Sequence, residues 1–415
     1  MKFAHMADCH IGSYRDERMK HINMKAFETA VTACIEEKVD FVLIAGDLFN
    51  TSLPSFESLK SATRMLKKLS SENISVYIIP GSHDFSPSGK TMLDVLEEAG
   101  LCKNVVKGSV NENGELELSF SQDENSGAKI TGMLGKRGTL EKSYYENLSR
   151  VNLEDEEGFK IFMFHSAIDE LKPKKFEATE STPISYLPKG FNYYAGGHVH
   201  IAQKTSSPEL GGVVSYPGPL FPNSFSEIEE LSHGGFYIFD SSSEELLRYM
   251  PIKMKNVRKF VIDAKGKSVE DIMGELRELD KENVYDSIVL IRLKGKLNGG
   301  KVSEIDLKSI SDVLYQNGAY VVLRNTSSLT SELFEEMRIQ SSALYTIEKD
   351  LLNEHSGQMT WQYRNLDANE EKDLMLEMLE LFDVEKAEGE TQKDFEERVY
   401  DNASIIFEDK YSKNT

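Results

Sequence analysis

The stretch Phe-Val-Leu-Ile-Ala-Gly-Asp at residues 41–47 decides the fold class of this chain. Five apolar residues in succession, followed by a glycine and a carboxylate, are typical of a strand that is buried on both faces of a sheet. Similar apolar runs that end in polar residues recur at Phe3–Asp8, Val76–Gly81, Ile161–His165 and Tyr193–His198. We therefore expect a domain whose strands are enclosed by other elements.

The segments between the first three strands have helical periodicity. Phe27, Val31 and Cys34 recur at helical spacing within Met24–Lys38, and a similar apolar face runs through Ser55–Ser71. The resulting order of strand, helix, strand, helix and strand predicts an α/β domain.

Length and charge limit the classes of protein that fit. A chain of 415 residues implies more than one domain. Its net charge of −21 argues against a protein that coats DNA or an anionic membrane by bulk charge. Three cysteines do not make a disulfide framework, and no apolar run approaches the ~20 residues of a membrane span. We expect a soluble cytoplasmic protein, associated with the nucleoid if it acts on DNA, and no membrane partner.

The patterns divide the chain into four regions. Residues 1–250 hold the α/β domain, and residues 251–345 alternate short strands and helices as a small α+β module does. A linker is expected at residues 346–368. Residues 369–415 carry two amphipathic helical patterns, Asn369–Val384 and Thr391–Phe407. Because residues 351–415 hold 7 basic and 17 acidic side chains, this last region is an acidic module of its own.

Each strand of the α/β domain ends in side chains of the metal-ligand type. They are Asp8, His10, Asp47, Ser82, His83, Asp84, His165, His198 and His200. Sites in open α/β sheets form where strands end. Any one of these residues alone is most often a cap or a solvated polar group, but five such places in one domain favour a metal centre. If Asp8-Cys9-His10 is extended, alternation directs both ligands to one face and Cys9 away from them, into a buried and inert position.

The chemistry of these ligands indicates a pair of cations. Carboxylates and neutral imidazoles suit Mn²⁺, Fe or Zn²⁺, whereas thiolate clusters, the signature of structural zinc, are absent from the sequence. A carboxylate such as Asp47 is able to bridge two ions, and two ions ~3.5–4 Å apart clamp a phosphate and activate water. The nearby glycines allow the sharp turns that bring such ligands together.

This ordered set of motifs resembles the calcineurin-like metallophosphoesterases. More narrowly, it is similar to the Mre-eleven/SbcD family of DNA double-strand-break repair nucleases. The segments that carry this likeness are Gly46–Phe49, Pro80–Gly89, Tyr193–His200 and Tyr216–Pro219. The resemblance implies a four-layer α/β/β/α metallophosphoesterase sandwich over residues 1–250, a capping and DNA-binding domain over 251–345, and a C-terminal helix pair.

The resemblance also assigns roles to the residues. Asp8, His10, Asp47 and His200 would hold one metal. Asp47, His165 and His198 would hold the other, with two Mn²⁺ per subunit as the expected cofactors and Mg²⁺, Fe or Zn²⁺ as alternatives. His83 would protonate the leaving oxygen or steady the phosphate, with Asp84 orienting its ring.

Two positions depart from the family pattern. Ser82 stands where the family usually has an asparagine that binds the second metal, and a hydroxyl is a shorter and poorer ligand. Asn50 stands where many members have a histidine that helps exonuclease chemistry, and an amide does no acid–base work but still hydrogen-bonds DNA.

The two tail helices predict a partner-binding surface. Its residues are Leu374, Met378, Leu381, Phe395, Val399 and Ile406. Two isolated helices do not bury such faces by themselves, so they either fold back on the chain's own core or dock to a partner. The resemblance names that partner as the coiled coil of a Rad-fifty/SbcC-type ABC ATPase, and it also implies a homodimer.

Three functions are compatible with these features. The first is a manganese-dependent exonuclease and endonuclease that hydrolyses phosphodiesters at DNA ends together with its ATPase. The second is a phosphodiesterase of the same superfamily that acts on nucleotides or small phosphoesters. The third is a scaffold that tethers DNA ends and has a weak nuclease site, which the residues at positions 50 and 82 would favour.

Overall fold

The computed structural model describes residues 1–85, 91–136, 142–172, 181–331, 352, 367–382, 384 and 392–406. The end of the third motif (Ser86–Gly89), most of the predicted linker and Phe407 lie outside these residues. The chain forms two compact units, Met1–Val257 and Arg258–Thr415. The predicted boundary at residue 250 falls inside a strand, and the first unit continues for several residues beyond it.

The described residues of the first unit contain two six-stranded sheets, a two-stranded sheet made of Gly108–Val110 and Leu116–Leu118, and several helices. Its strands are β1 (Lys2–Met6), β2 (Phe41–Ala45), β3 (Ser75–Ile79), β4 (Lys103–Asn104), β5 (Gly108–Val110), β6 (Leu116–Leu118), β7 (Ser121–Gln122), β8 (Lys129–Gly132), β9 (Lys160–His165), β10 (Tyr193–Gly197), β11 (Gln203–Ser207), β12 (Gly212–Tyr216), β13 (Gly234–Asp240) and β14 (Leu247–Ile252). Its helices are α1 (Glu17–Glu36), α2 (Phe56–Ser71), α3 (Met92–Glu98), α4 (Lys142–Glu146), α5 (Val151–Glu154) and α6 (Phe225–Leu231).

The first sheet has the order β14-β13-β1-β2-β3-β4, and the second has the order β11-β12-β10-β9-β8-β7. Strands β1 to β4 run parallel, as the strand–helix alternation predicts, and β8, β9, β10 and β12 are parallel in the second sheet. The strands β13 and β14 are antiparallel additions. As a result, the carboxyl ends of β1, β2 and β3 lie at one edge of their sheet, and those of β9 and β10 at one edge of the other.

Successive side chains of a strand point to opposite faces of its sheet, and this arrangement forms the layers of the first unit. Phe41 and Leu43 of one sheet share a fully buried core with Ile161 and Met163 of the other. The intervening Phe162 of β9 points the other way, into a cluster that includes buried residues of α4 and α5. Helices α1 and α2 cover the first sheet, where α2 contacts β3 and α1 contacts β14. The predicted α/β sandwich of this unit is confirmed.

The second unit begins with a small α+β fold. Strands β15 (Asn256–Asp263), β16 (Ser287–Leu297) and β17 (Val321–Ser331) form one sheet in that order, and α7 (Val269–Glu278) and α8 (Leu307–Gln316) connect them. The buried cluster of this fold is made of aliphatic side chains. The predicted alternation of strands and helices is present as far as Ser331, and residues 332–345 lie outside the described residues. The assignment of this region as a capping domain remains a prediction.

The tail contains the two helices that the sequence predicts, α9 (Ala368–Phe382) and α10 (Gln392–Ile405), and they contact each other. Of the predicted partner-binding residues, Leu374 and Leu381 are buried, and the other four, Met378, Phe395, Val399 and Ile406, are half-buried. No helix among the described residues is both long and apolar enough to cross a membrane.

Candidate metal centre

Four of the predicted ligand residues have a left-handed backbone. The φ angles are 50° at Asp8, 43° at His10, 53° at Asp47 and 83° at His198. Such values are uncommon for residues with a side chain, and clusters of them mark functional sites. The expectation that Asp8-Cys9-His10 is extended is therefore wrong, because these side chains converge through tight turns after the strand ends. Cys9 is nevertheless buried, and burial raises the pKa of its thiol well above the usual value, in agreement with an inert role.

Three glycines let these turns approach one another. A β-carbon at Gly46 would lie 2.2 Å from His165 Nδ1, and one at Gly81 would lie 2.2 Å from Asp47 Oδ1. A β-carbon at Gly197 would lie 2.0 Å from the carbonyl oxygen of Ala45. Since real β-carbons are not found at such distances, the site closes only when these three positions lack a side chain.

Asp8, His10 and His200 form the first group of converging ligands. Their ligand atoms lie within 4.8 Å of one another. His10 Nε2 lies 3.2 Å from His200 Nε2, and His200 Nε2 lies 3.6 Å from Asp8 Oδ1. Two ring nitrogens and a carboxylate that face one point are a donor set for a divalent cation.

Asp47 lies at the centre of the remaining contacts. Its Oδ2 is 3.3 Å from His165 Nε2 and 3.7 Å from His10 Nε2, and its Oδ1 accepts a hydrogen bond of 2.7 Å from the His83 amide. Asp47 forms a second possible group with Asp8 and His165, and a third with His10 and His83. A single carboxylate that faces histidines on two sides has the placement that a bridging ligand requires.

His198 is placed differently from the other ligands. Its backbone amide donates to both carboxylate oxygens of Asp8, at 3.0 and 3.1 Å, and its ring stands edge-on to the ring of His165 at 5.3 Å between centroids. Its ring nitrogens belong to none of the three groups of converging ligands found among the described residues. The assignment of His198 as a ligand stays a prediction.

Buried charges set the protonation of the centre. Burial by itself lowers the pKa of His165, but the adjoining Asp47 carboxylate reverses this and raises it to about 9. At His200, burial is likewise outweighed by Asp8 and Glu227, and the pKa rises to about 10. Burial dominates at His10 and lowers its pKa to about 4.

The donor set fits divalent cations. His165 Nε2 is buried and faces Asp47 Oδ2 at 3.3 Å without completing a hydrogen bond, and a buried polar atom in that state is costly unless another group completes it. Asp47 raises the pKa of His165 and Asp8 raises that of His200, and a cation would take the place of these protons beside the same carboxylates. The chemistry of the site is therefore that of a metal centre.

Comparison with known proteins decides the family. The calcineurin-like phosphoesterase family matches residues 1–202. A DNA double-strand break repair protein Mre11 from Methanococcus maripaludis is 32% identical over 296 residues, which are 67% of this chain and 73% of the relative. The chain belongs to the Mre11 family.

A second Mre11 relative agrees with this assignment. Mre11 from Archaeoglobus fulgidus is 25% identical over 369 residues, covering 85% of this chain and 79% of that protein. A dimetal phosphatase from Danio rerio matches 61% of this chain and 99% of its own at 11% identity, with a TM-score of 0.37. The predicted family and the predicted enzyme class are confirmed: this member of the Mre11 family is a metal-dependent phosphodiesterase.

The Mre11-family residues His83 and Asp84 do not form the predicted pair. His83 Nδ1 lies 2.7 Å from the carbonyl oxygen of Asn50, so this carbonyl orients the ring. The Asp84 carboxylate instead accepts hydrogen bonds from the amides of Leu48, Phe49 and Gly81. Burial and the nearby Asp47 raise the pKa of Asp84 to about 7, against the effect of these amides. The prediction that Asp84 orients His83 is wrong, because its carboxylate joins the turn after β2 to the turn after β3.

The two departures from the Mre11-family pattern lie at the site itself. Ser82 is buried, and its hydroxyl lies 3.4 Å from Asp47 Oδ2, beside the centre. Asn50 is half-buried and contributes its backbone carbonyl to His83. A role of the Asn50 side chain in substrate binding stays a prediction.

Glu227 contacts a predicted ligand and was not among the residues predicted from the sequence. Its Oε1 lies 3.1 Å from His200 Nδ1, on the side of the ring opposite the other ligands. It sits in the first turn of α6, three residues after the N-cap Ser224. The spacing Ser-x-x-Glu is a recognisable capping-box pattern, and this signal would have placed Glu227 at a helix start beside the Tyr216–Pro219 motif.

A cavity of about 520 Å³ adjoins the centre. It is lined by His10, Asp47, Ser82, His83, Ala167, Lys172, His198, Val199, His200, Ser224, Ser226, Glu227, Glu230 and Leu231. Its wall thus combines the ligand cluster with a lysine and a few apolar side chains. This composition suits a phosphoester whose phosphate faces the histidines.

Proposed function

We propose that this chain is a manganese-dependent nuclease that hydrolyses DNA phosphodiesters at DNA ends in double-strand-break repair. The observation that carries the proposal is the convergence of five ligand-type side chains, Asp8, His10, Asp47, His165 and His200. Three of them, His10, Asp47 and His200, line the adjoining cavity. The named relatives, which are DNA double-strand break repair proteins, supply the substrate class.

The residues divide into two ligand sets around one bridge. Asp8, His10 and His200 would hold one cation and His165 and His198 the other, while Asp47 would serve both and Ser82 would help at the second. When bound, two cations neutralise the phosphate and lower the pKa of water, which is the chemistry that phosphodiester hydrolysis needs. Carboxylate and imidazole ligands suit Mn²⁺ well, although Mg²⁺, Fe and Zn²⁺ share these preferences in part.

His83 is proposed as the group that handles the proton of the leaving oxygen. A carbonyl oxygen only accepts hydrogen bonds, so the contact with Asn50 requires a proton on His83 Nδ1. Nε2 is then the nitrogen that is able to pass a proton to the substrate. In the charged ring, Nε2–H donates to a phosphate oxygen or to the leaving group. The ring lines the cavity and stands edge-on to His10 at 4.8 Å between centroids.

The tail helices are proposed to bind a Rad-fifty/SbcC-type ABC ATPase, and the active form is proposed to be a homodimer. The support for the partner is the pair of apolar helix faces, in which Phe395 and Val399 keep part of their surface accessible. Phe395→Asp combined with Val399→Asp should abolish co-purification with the ATPase while leaving hydrolysis of DNA unchanged. Retention of the ATPase by this variant would contradict the docking assignment.

One assay tests the nuclease assignment. Mn²⁺-dependent degradation of end-labelled double- and single-stranded DNA is measured beside turnover of bis-p-nitrophenyl phosphate for wild type and His83→Ala. His233→Ala, which alters a histidine outside the motifs, is the matched control. We expect DNA degradation that His83→Ala abolishes and the control retains. Turnover of the small diester alone would favour a general phosphodiesterase, and intact DNA binding without any turnover would favour a tethering scaffold.

A further inference from the structure

The carboxylate of Glu227 joins a helix to a ligand of the metal centre. Its Oε1 lies 3.1 Å from His200 Nδ1, and its Oε2 accepts a hydrogen bond of 2.8 Å from the amide of Asn223. Both carboxylate oxygens therefore have a partner. The Asn223 amide belongs to the start of α6, whereas the His200 ring does not. His200 Nε2, at the other end of the ring, faces His10 and Asp8.

The position of Glu227 is fixed by its surroundings. Ser224 caps α6 by accepting a hydrogen bond from the Glu227 amide at 3.2 Å. The turn before α6 is bonded to the loop that follows Asp8 and His10, since the Tyr14 hydroxyl donates a hydrogen bond to the carbonyl oxygen of Pro222. Glu227 is itself about half-buried, so its carboxylate is not free to turn into solvent.

We propose that Glu227 is a positioning residue that sets the tautomer and the orientation of the His200 ring. An ionised carboxylate only accepts hydrogen bonds, so this contact requires the proton of a neutral His200 on Nδ1. The Nε2 lone pair then faces Asp8 and His10, which is the form of the ring that binds a cation. This inference rests on the proposed function, because it assigns His200 to a metal.

The cap of α6 does not account for this contact. Ser224 already satisfies the helix amide, and the Asn223 amide occupies Oε2, which leaves Oε1 for His200 alone. In Glu227→Gln, one of the two partners meets an amide NH₂ instead of an oxygen. If that partner is His200, the favoured tautomer is reversed and Nε2 carries a proton. If it is Asn223, two donors face each other and the side chain must leave its position.

The test is calorimetric titration of the metal-free full-length chain with Mn²⁺. We expect wild type to bind two ions and Glu227→Gln to bind one of them about 10- to 100-fold more weakly, the usual loss when the partner of a ligating histidine is removed. Ser224→Ala, which removes the cap and keeps the carboxylate, should weaken Mn²⁺ binding much less than Glu227→Gln does. Glu230→Gln removes the same charge from the same cavity and should also leave both affinities unchanged.

A double mutant separates positioning from a general structural role. In the His200→Ala background, Glu227→Gln should cause no further loss of Mn²⁺ affinity, because its effect passes through the His200 ring. Full affinity of Glu227→Gln for both ions, or an equal additional loss in the His200→Ala background, would overturn the positioning role and leave the proposed nuclease intact. Failure of wild type to bind Mn²⁺ would overturn both.

Discussion

The sheet edge of the first unit that carries the candidate ligands, here called the metal edge, differs from the α+β fold of the second unit in backbone conformation and in the polarity of its buried side chains. At the metal edge, Asp8, His10, Asp47 and His198 have left-handed backbones, and buried histidines lie against buried carboxylates. In the fold between Arg258 and Ser331, the core cluster is aliphatic, and Asp286 is the only described residue other than glycine with a positive φ. Its helices begin at ordinary caps, a Ser268 capping box and an Asp306 cap.

The difference shows where each region gains its stability. The second region follows local propensity and hydrophobic burial, so its sequence and its structure agree at every level. At the metal edge, local preference is overridden by contacts between distant turns. The cost of buried charge there is offset by facing groups of opposite charge and, when it is bound, by a cation. Substitutions in the two regions should therefore affect different measurements.

The largest expected effect is on catalysis. Asp47→Asn keeps the size of the side chain but removes the charge that faces His165 and His10, so we expect phosphodiester turnover to fall on the order of 10⁴-fold, or about 5.5 kcal/mol of barrier. Turnover of bis-p-nitrophenyl phosphate with Mn²⁺ measures it. Asp40→Asn, just before the same strand, is the matched control and should retain activity. Activity within tenfold of wild type in Asp47→Asn would remove the central role of this carboxylate.

A core substitution in the second region should act on stability alone. Leu276 of α7 is fully buried in the aliphatic cluster, so Leu276→Ala should lower the free energy of unfolding by about 2–5 kcal/mol through the lost burial and the cavity left behind. Urea denaturation of the full chain measures this, with Leu276→Met as the volume-conserving control. A large loss of Mn²⁺ affinity in a still-folded Leu276→Ala protein would contradict the expectation that substitutions in the two regions affect different measurements.

Metal should stabilise the first region in a pH-dependent way. Mn²⁺ at about 100 times its dissociation constant adds roughly 2.7 kcal/mol to the free energy of unfolding. Without metal, the raised pKa values of His165 and His200, about 9 and about 10, mean that stability from these ion pairs is full below pH 6.5 and declines as pH rises through these values. Protons also compete with the cation at these rings.

Thermal unfolding at a fixed, subsaturating Mn²⁺ concentration tests this competition. The gain in melting temperature over the metal-free protein should be larger at pH 8.5 than at pH 6.5, because fewer protons occupy His165 and His200. An equal gain at both values would show that these two rings do not exchange protons for metal.

The smallest expected effect concerns a helix cap. Ser268→Ala removes the oxygen that accepts from the Asp271 amide at the start of α7, so it should lower the free energy of unfolding by about 1 kcal/mol. Ser268→Thr keeps a hydroxyl that accepts from the Asp271 amide and donates to the Asp271 carboxylate, so it should retain most of the stability. Unchanged stability in Ser268→Ala would mean that α7 is held by packing alone.

The sequence predicted most of what depends on local pattern. Apolar runs located β1, β2, β3, β9 and β10 to within a few residues, and the ligand motifs located the centre. It did not predict the left-handed turns at Asp8 and His10, since these exist only because distant turns pack against them. The partners of Asp84 and the contact of Glu227 with His200 escaped for the same reason, as each joins segments that are far apart in the chain.

The three missing β-carbons at Gly46, Gly81 and Gly197 also limit how this enzyme evolves. A β-carbon at Gly46 would meet His165, and one at Gly81 or Gly197 would meet Asp47 or Ala45 at the end of β2, so no single replacement elsewhere makes room at all three positions. A saturation library selected for repair activity should lose variants at these positions as completely as at the ligands, although the glycines contribute no atom to chemistry. Substitution at this site is thus limited by the need for space as well as by the need for reactive groups.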